Sequence, residues 1–202
     1  MNLGNLDTFQ PSLAEFYCTV TSIFFCSPIL TYHHIPYDVV PPLQRACIIL
    51  SCITAAVSFS YHLTIWKVLS SADSGLATAT MFLNAYSLVS ARYPSDHWMH
   101  YNVSWQIPLT GIIVLFVLHW ERTSVLAVKL ILLIFPFAVY GYAVNGCWTG
   151  LALGVLGLVS FAVDRKNWFA GHSFWHLAGG MSLWAAIFTA TQKSLSSSNF
   201  VQ

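Results

Sequence analysis

The sequence predicts an all-α fold, a polytopic membrane protein built as a seven transmembrane helix bundle, and three observations predict it. Charged residues make up only 7% of the 202-residue chain and hydrophobic types 56%, whereas a soluble domain carries about 25% charge to keep its surface hydrated. The mean hydropathy is +0.65. Apolar runs long enough to cross, or nearly cross, a hydrocarbon core of about 30 Å recur from end to end, separated by residues with turn chemistry.

The spans fall at 13–32, 43–66, 73–91, 104–120, 124–144, 147–163 and 170–190. The chain starts on a polar stretch with no basic n-region, so the first apolar helix is expected to act as the insertion signal. His34-Ile35-Pro36-Tyr37-Asp38 and Pro41-Pro42 part the first two spans, and Tyr93-Pro94-Ser95-Asp96 ends the third. Glu121-Arg122, Asn145-Gly146 and Asp164-Arg165-Lys166-Asn167 separate the rest. These loops are too short for a soluble domain, and no internal repeat is visible. The organisation expected is a short N-terminal segment (1–12), a seven-helix domain (13–191) and a tail (192–202) whose Ser194–Asn199 stretch reads as disordered.

A net charge of +1 offers no basic surface, which argues against nucleic acid as a partner. Cys18, Cys26, Cys47, Cys52 and Cys147 lie singly within apolar segments. They read as buried, inert thiols rather than a disulfide framework or a thiolate metal site. The alternation of spans places Lys67, Arg122, Lys129, Arg165 and Lys166 on the N-terminal side of the membrane and Arg45, Arg92 and Lys193 on the other. That imbalance favours a cytoplasmic N-terminus, and the sequon Asn102-Val103-Ser104 on the opposite side agrees with it.

Ionisable residues inside spans are costly and mark function. Ser58 and His62 close the second span, Asp73 opens the third, and His172 and His176 begin the seventh, so all five share one membrane face. Ser58/His62 and His172/His176 are each spaced i,i+4, which places both members of a pair on one helix side, one turn apart. A histidine pair at that spacing is a two-point zinc grip. A third histidine from the second span completes the three-ligand arrangement of a catalytic zinc with one open position. Asp73 is then placed to act as base on a water, and Ser58 to orient it or to donate to an oxyanion. Glu15, in Ala14-Glu15-Phe16-Tyr17, reaches the same face and needs a cation or donors there.

Each residue also has a plainer reading. A histidine at a helix end can be an interfacial polar group, and Asp73 can be a helix N-cap in competition with Ser71 or Ser74. Phe174 and Trp175 read as packing and interface residues. His33, His34, His97 and His100 lie in loops on the opposite face, and His119 reads as snorkelling to the interface. The convergence of the five polar side chains is what favours a metal.

Ser58-Phe59-Ser60-Tyr61-His62-Leu63-Thr64, then Asp73, then His172-Ser173-Phe174-Trp175-His176 resembles the alkaline ceramidases. Leu13-Ala14-Glu15-Phe16-Tyr17 is similar to their N-terminal Ala-Glu-Phe-Tyr motif. They belong to a superfamily of seven-span metal hydrolases that includes the progestin and adipoQ receptors, GPI-anchor remodelling factors and the myomaker group. The resemblance implies zinc on His62, His172 and His176, with Asp73 and Ser58 completing the site. It implies hydrolysis of the ceramide amide to sphingoid base and fatty acid in an endoplasmic reticulum or Golgi membrane. It also implies a calcium site, for which Glu15, Asp7 and Asn5 are the remaining ligands because the family's Asp-Trp-Cys-Glu run is missing. The family places its N-terminus in the lumen, against the charge count. Other superfamily activities remain alternatives: a receptor or fusion protein with a structural zinc, or a hydrolase of another lipid.

Overall fold

The first helix turns to a tighter coil midway. In the computed structural model, which describes residues 13–94, 96–164 and 171–198, α1 (Leu13–Thr21) passes into a 3-10 stretch, Ser22–Leu30, and then into the single turn α2 (Thr31–His34). The backbone is right-handed helical at both junctions, so these pieces form one rod through residues 13–34. A 3-10 coil has about 3.0 residues per turn and is thinner than an α-helix. Six longer helices follow: α3 (Pro42–Thr64), α4 (Lys67–Ser90), α5 (Asn102–Leu118), α6 (Thr123–Val144), α7 (Trp148–Asp164) and α8 (Gly171–Ser198). No strand occurs among the described residues, and the all-α expectation holds.

α3 and α6 are long and apolar enough to cross a membrane, while α5 and α7 are shorter apolar helices. The side-chain distribution is inverted relative to a water-soluble protein. Leu133, Val68, Leu118 and Ile107 stand two-thirds or more exposed, whereas Ser22, Ser51, Thr54, Ser58, Ser87 and Thr191 are fully buried. Some buried hydroxyls find partners inside: Thr54 and Thr80 share a 2.7 Å hydrogen bond, as do Tyr142 and Ser182.

Two departures from the sequence reading concern helix ends. α4 begins at Lys67, six residues before Asp73, with Trp66 as a cap that makes no side-chain hydrogen bond. Asp73 therefore sits in the second turn and is no N-cap. α8 runs on to Ser198, through the part of the tail expected to be disordered. Leu195 packs on the core there, and the Ser196 hydroxyl donates to the Gln192 carbonyl at 2.8 Å. Residues 199–202 and 1–12 lie outside the described residues.

Only Ile65-Trp66 joins α3 to α4. Ile65 adopts the left-handed conformation at φ 52° and its N–H returns to the Tyr61 carbonyl at 2.6 Å. That conformation is strained for a β-branched residue. The turn forces the two helices antiparallel, so the last turn of α3, with His62, stands beside the second turn of α4, with Asp73. α7 packs against α8 through small residues: Gly154 meets Ser182, and Gly157 meets the Trp175 ring. The 3-10 stretch packs on α8 just as closely. A Cβ on Gly180 would collide with the Phe24 carbonyl oxygen, and the Ser27 hydroxyl donates to the Gly180 carbonyl at 2.6 Å. α6 packs mainly on α4 and α7 mainly on α8, so these two sequential helices diverge.

Gly180→Ala should lower thermal stability in detergent by about 1–3 kcal/mol, since backbone must shift to admit the methyl. Gly111 has nothing within 4 Å of an added Cβ. Gly111→Ala should instead be neutral or stabilising by up to about 1 kcal/mol. Equal melting temperatures for both variants would contradict the close approach of α8 to the 3-10 stretch.

Candidate metal centre

Three buried or half-buried imidazoles meet at one end of the bundle. The ring centroids of His62 and His172 lie 4.9 Å apart, those of His62 and His176 5.1 Å, and those of His172 and His176 4.8 Å. The i,i+4 spacing on α8 supplies two rings, and the tight α3–α4 turn fixes the height of the third.

Hydrogen bonds from the first helix set the tautomers. The Nδ1 of His62 lies 2.7 Å from the Glu15 carboxylate, and the Nδ1 of His176 lies 3.1 Å from the Cys18 carbonyl. Both partners accept, so each Nδ1 carries the proton and each Nε2 keeps its lone pair. The Nε2 of His62 is buried and has no hydrogen-bond partner among the described residues. A buried polar atom without a partner costs free energy. A cation among the three rings would satisfy it, and a carboxylate behind a ligating histidine is the usual support of such a metal. The donor chemistry and geometry therefore fit a metal ion.

The sequence reading of the cysteines needs correction at Cys18. Its sulfur, a His62 nitrogen and a His172 nitrogen all lie within 4.8 Å of one another, a group able to hold a metal ion. His176 falls outside that tightest set of donor atoms, yet its ring touches both other imidazoles. The two groupings share His62 and His172, and together they give four candidate ligands. Cys18 went unrecognised because it was read as one of several apolar thiols. The available signal was its place one turn after Glu15, on the same side of α1. Ser22, one further turn along, donates to the Ser58 hydroxyl at 3.1 Å and lies 3.4 Å from His176 Nδ1. Glu15, Cys18 and Ser22 thus form one stripe facing the cluster.

Asp73 interacts with Ser58 and His62. It lines a cavity of about 340 Å³ together with His172, His176 and Trp175. Ser58 is fully buried and is not part of that lining. Its hydroxyl interacts with the Asp73 carboxylate. The cavity lies between the diverging α6 and α7, with Val128, Ile131, Leu158 and Phe161 on its walls. A smaller apolar pocket of about 70 Å³ continues from it into the bundle. The two share Phe25, Ala77, Met81, Leu158 and Trp175.

Glu15 is engaged with His62, and the other two proposed calcium ligands, Asp7 and Asn5, lie outside the described residues. Three of the other histidines make local packing or hydrogen-bond contacts. His97 stacks on Tyr93 at 4.3 Å, His100 Nε2 donates to the Tyr93 carbonyl at 3.1 Å, and His34 packs edge-on against Phe188. His119 is exposed at the end of α5. Trp175 both packs on Phe25 and lines the cavity, while Phe174 is exposed.

No known protein-family profile matches the chain, and no curated protein matches it in sequence.

His176→Ala should abolish stoichiometric metal binding by the purified protein, while His97→Ala should leave it intact. Glu15→Ala should keep the ligands but weaken metal affinity about 10–100-fold, the usual cost of losing the group behind a ligating histidine. Elemental analysis and competition with a chelator measure both. Full metal content in His176→Ala would remove the three-histidine assignment.

Proposed function

We propose that the chain is a seven-span membrane protein of the alkaline ceramidase type, a zinc-dependent amidase acting on ceramide or a related sphingolipid within the bilayer. The inverted distribution of side chains supports the spanning arrangement, because lipid-facing surfaces are apolar and polar groups must be satisfied within the bundle. Seven helical segments occupy the positions of the expected spans. The observation that carries the catalytic reading is the position of Asp73, on the cavity wall beside two of the three clustered histidines.

Zinc in such a site lowers the pKa of its water to about 7 and polarises a carbonyl, which suits an unactivated amide. The chain's own residues do the rest. Asp73, held by the Ser58 hydroxyl, takes a proton from the attacking water. The water oxygen bonds to the acyl carbon, the C–N bond breaks, and the proton passes from Asp73 to the leaving nitrogen. Fatty acid and sphingoid base are the products. The opening between α6 and α7 suits a substrate that arrives from the side.

A second reading has a specific observation in its favour. Cys18 beside the histidines offers a fourth protein ligand, and four-ligand zinc sites are structural. This favours a non-enzymatic member, such as a receptor or a membrane-fusion protein. Hydrolysis of an ester or of another lipid amide is the neighbouring enzymatic alternative, and it shares the same machinery.

The deciding experiment measures metal content and lipid turnover on detergent-purified wild type and Asp73→Asn together. About one zinc per chain in both, as a single site requires, with ceramide turnover reduced about 10²-fold or more in the variant, is the result expected. Zinc without turnover on ceramide, other sphingolipids or ester lipids supports the structural reading.

A further inference from the structure

The sulfur of Cys18 stands among the candidate metal ligands at the end of the bundle. We propose that the Cys18 thiolate is a fourth, direct ligand of the metal held by His62, His172 and His176, so that the resting centre is a closed cysteine–histidine site. The inference rests on the metal-centre reading above, and it turns one of that cluster's candidate donors into a bound ligand.

Two independent observations carry it. The first is the group of donor atoms: Cys18 Sγ lies within 4.8 Å of ligand nitrogens on both His62 and His172. A central ion bonds sulfur at about 2.3 Å and imidazole nitrogen at about 2.0–2.1 Å. Donor atoms within 4.8 Å of one another can therefore converge on one ion with small side-chain rotations. The second is the orphaned Nε2 of His62, which is 2% exposed and without a hydrogen-bond partner among the described residues. Its Nδ1 is held by Glu15 at 2.7 Å, so Nε2 is the nitrogen left for a ligand.

The backbone of Cys18 already serves the site, since its carbonyl holds the His176 Nδ1–H. One residue thus brings both a hydrogen-bond acceptor behind one ligand and a soft donor of its own. The sulfur also lies 3.4 Å from the Ser173 hydroxyl, on α8 between the two histidines. A hydroxyl in that place can donate to a thiolate and support its charge. Binding involves no redox change. The thiol releases its proton to solvent, and the sulfur–metal bond forms. The consequence is chemical selectivity, because a thiolate among imidazoles favours zinc over magnesium, calcium or manganese. A second consequence is that the open position needed for a water exists only while Cys18 is off the metal.

The test is cobalt(II) substitution of the full-length protein in detergent, read by optical absorption. The expected result is a near-ultraviolet thiolate-to-cobalt charge-transfer band that is lost in Cys18→Ser, while the visible cobalt bands and about one bound cobalt per chain remain. Cys147→Ala, which removes a buried thiol outside the cluster, should keep the band. X-ray absorption of the wild-type zinc protein should show one sulfur neighbour at about 2.3 Å. It answers the question even where Cys18→Ser fails to fold. Bound metal with no sulfur neighbour and no charge-transfer band overturns the fourth ligand and leaves the three-histidine site standing. A band that survives Cys18→Ser also overturns it. Failure of the wild type to bind cobalt or zinc at all overturns the metal-centre reading itself.

Discussion

Three imidazole rings within 5.1 Å of one another, enclosed by helices, are the constraint on which the rest of the structure depends. Each ring has two nitrogens, and in a dry bundle each nitrogen needs a partner. The first helix supplies partners for two of them through Glu15 and the Cys18 carbonyl. The Nε2 of His62 is left buried with no hydrogen-bond partner among the described residues. An apolar substitute at these positions would be simpler to fold. The retention of rings, carboxylate and hydroxyls at one depth is therefore a statement about chemistry rather than packing.

The helical class and the helix positions were legible in the sequence because apolar run length and turn chemistry act locally. So was the meeting of His62, Asp73, His172 and His176, since span alternation fixes which ends share a face and i,i+4 spacing fixes which side of a helix faces in. Helix ends were less legible. α4 starts at Lys67 because the two-residue turn at Ile65-Trp66 leaves no room for a longer loop, and a strained left-handed isoleucine gives no sequence signal. The tail 192–198 reads as polar and loose, yet Leu195 ties it to the core. Cys18 was missed because its place in the cluster depends on a neighbour 44 residues away at His62 and another on α8, and the one local signal is its spacing from Glu15.

In the proposed membrane setting the bundle is held together by a different balance from that of a water-soluble domain. Its outward surface is rich in leucine, isoleucine and valine, and serines and threonines are buried among the apolar core residues. In a lipid solvent, burying an apolar chain brings little gain, so close approach of backbones and internal hydrogen bonds carry the association. α7 and α8 show this most clearly, with glycines set against Ser182 and Trp175.

The contact between Gly180 and the Phe24 carbonyl has a mechanical meaning. It clamps the rod that carries Glu15 and Cys18 to the helix that carries His172 and His176, backbone against backbone. Helices answer a change in bilayer thickness by tilting. Two helices clamped in this way tilt as one body, and the spacing of the donors they carry is preserved. In the proposed spanning arrangement the candidate metal centre is thereby insulated from the thickness of the surrounding membrane, and a chain built like this can keep one donor geometry in bilayers of different depth.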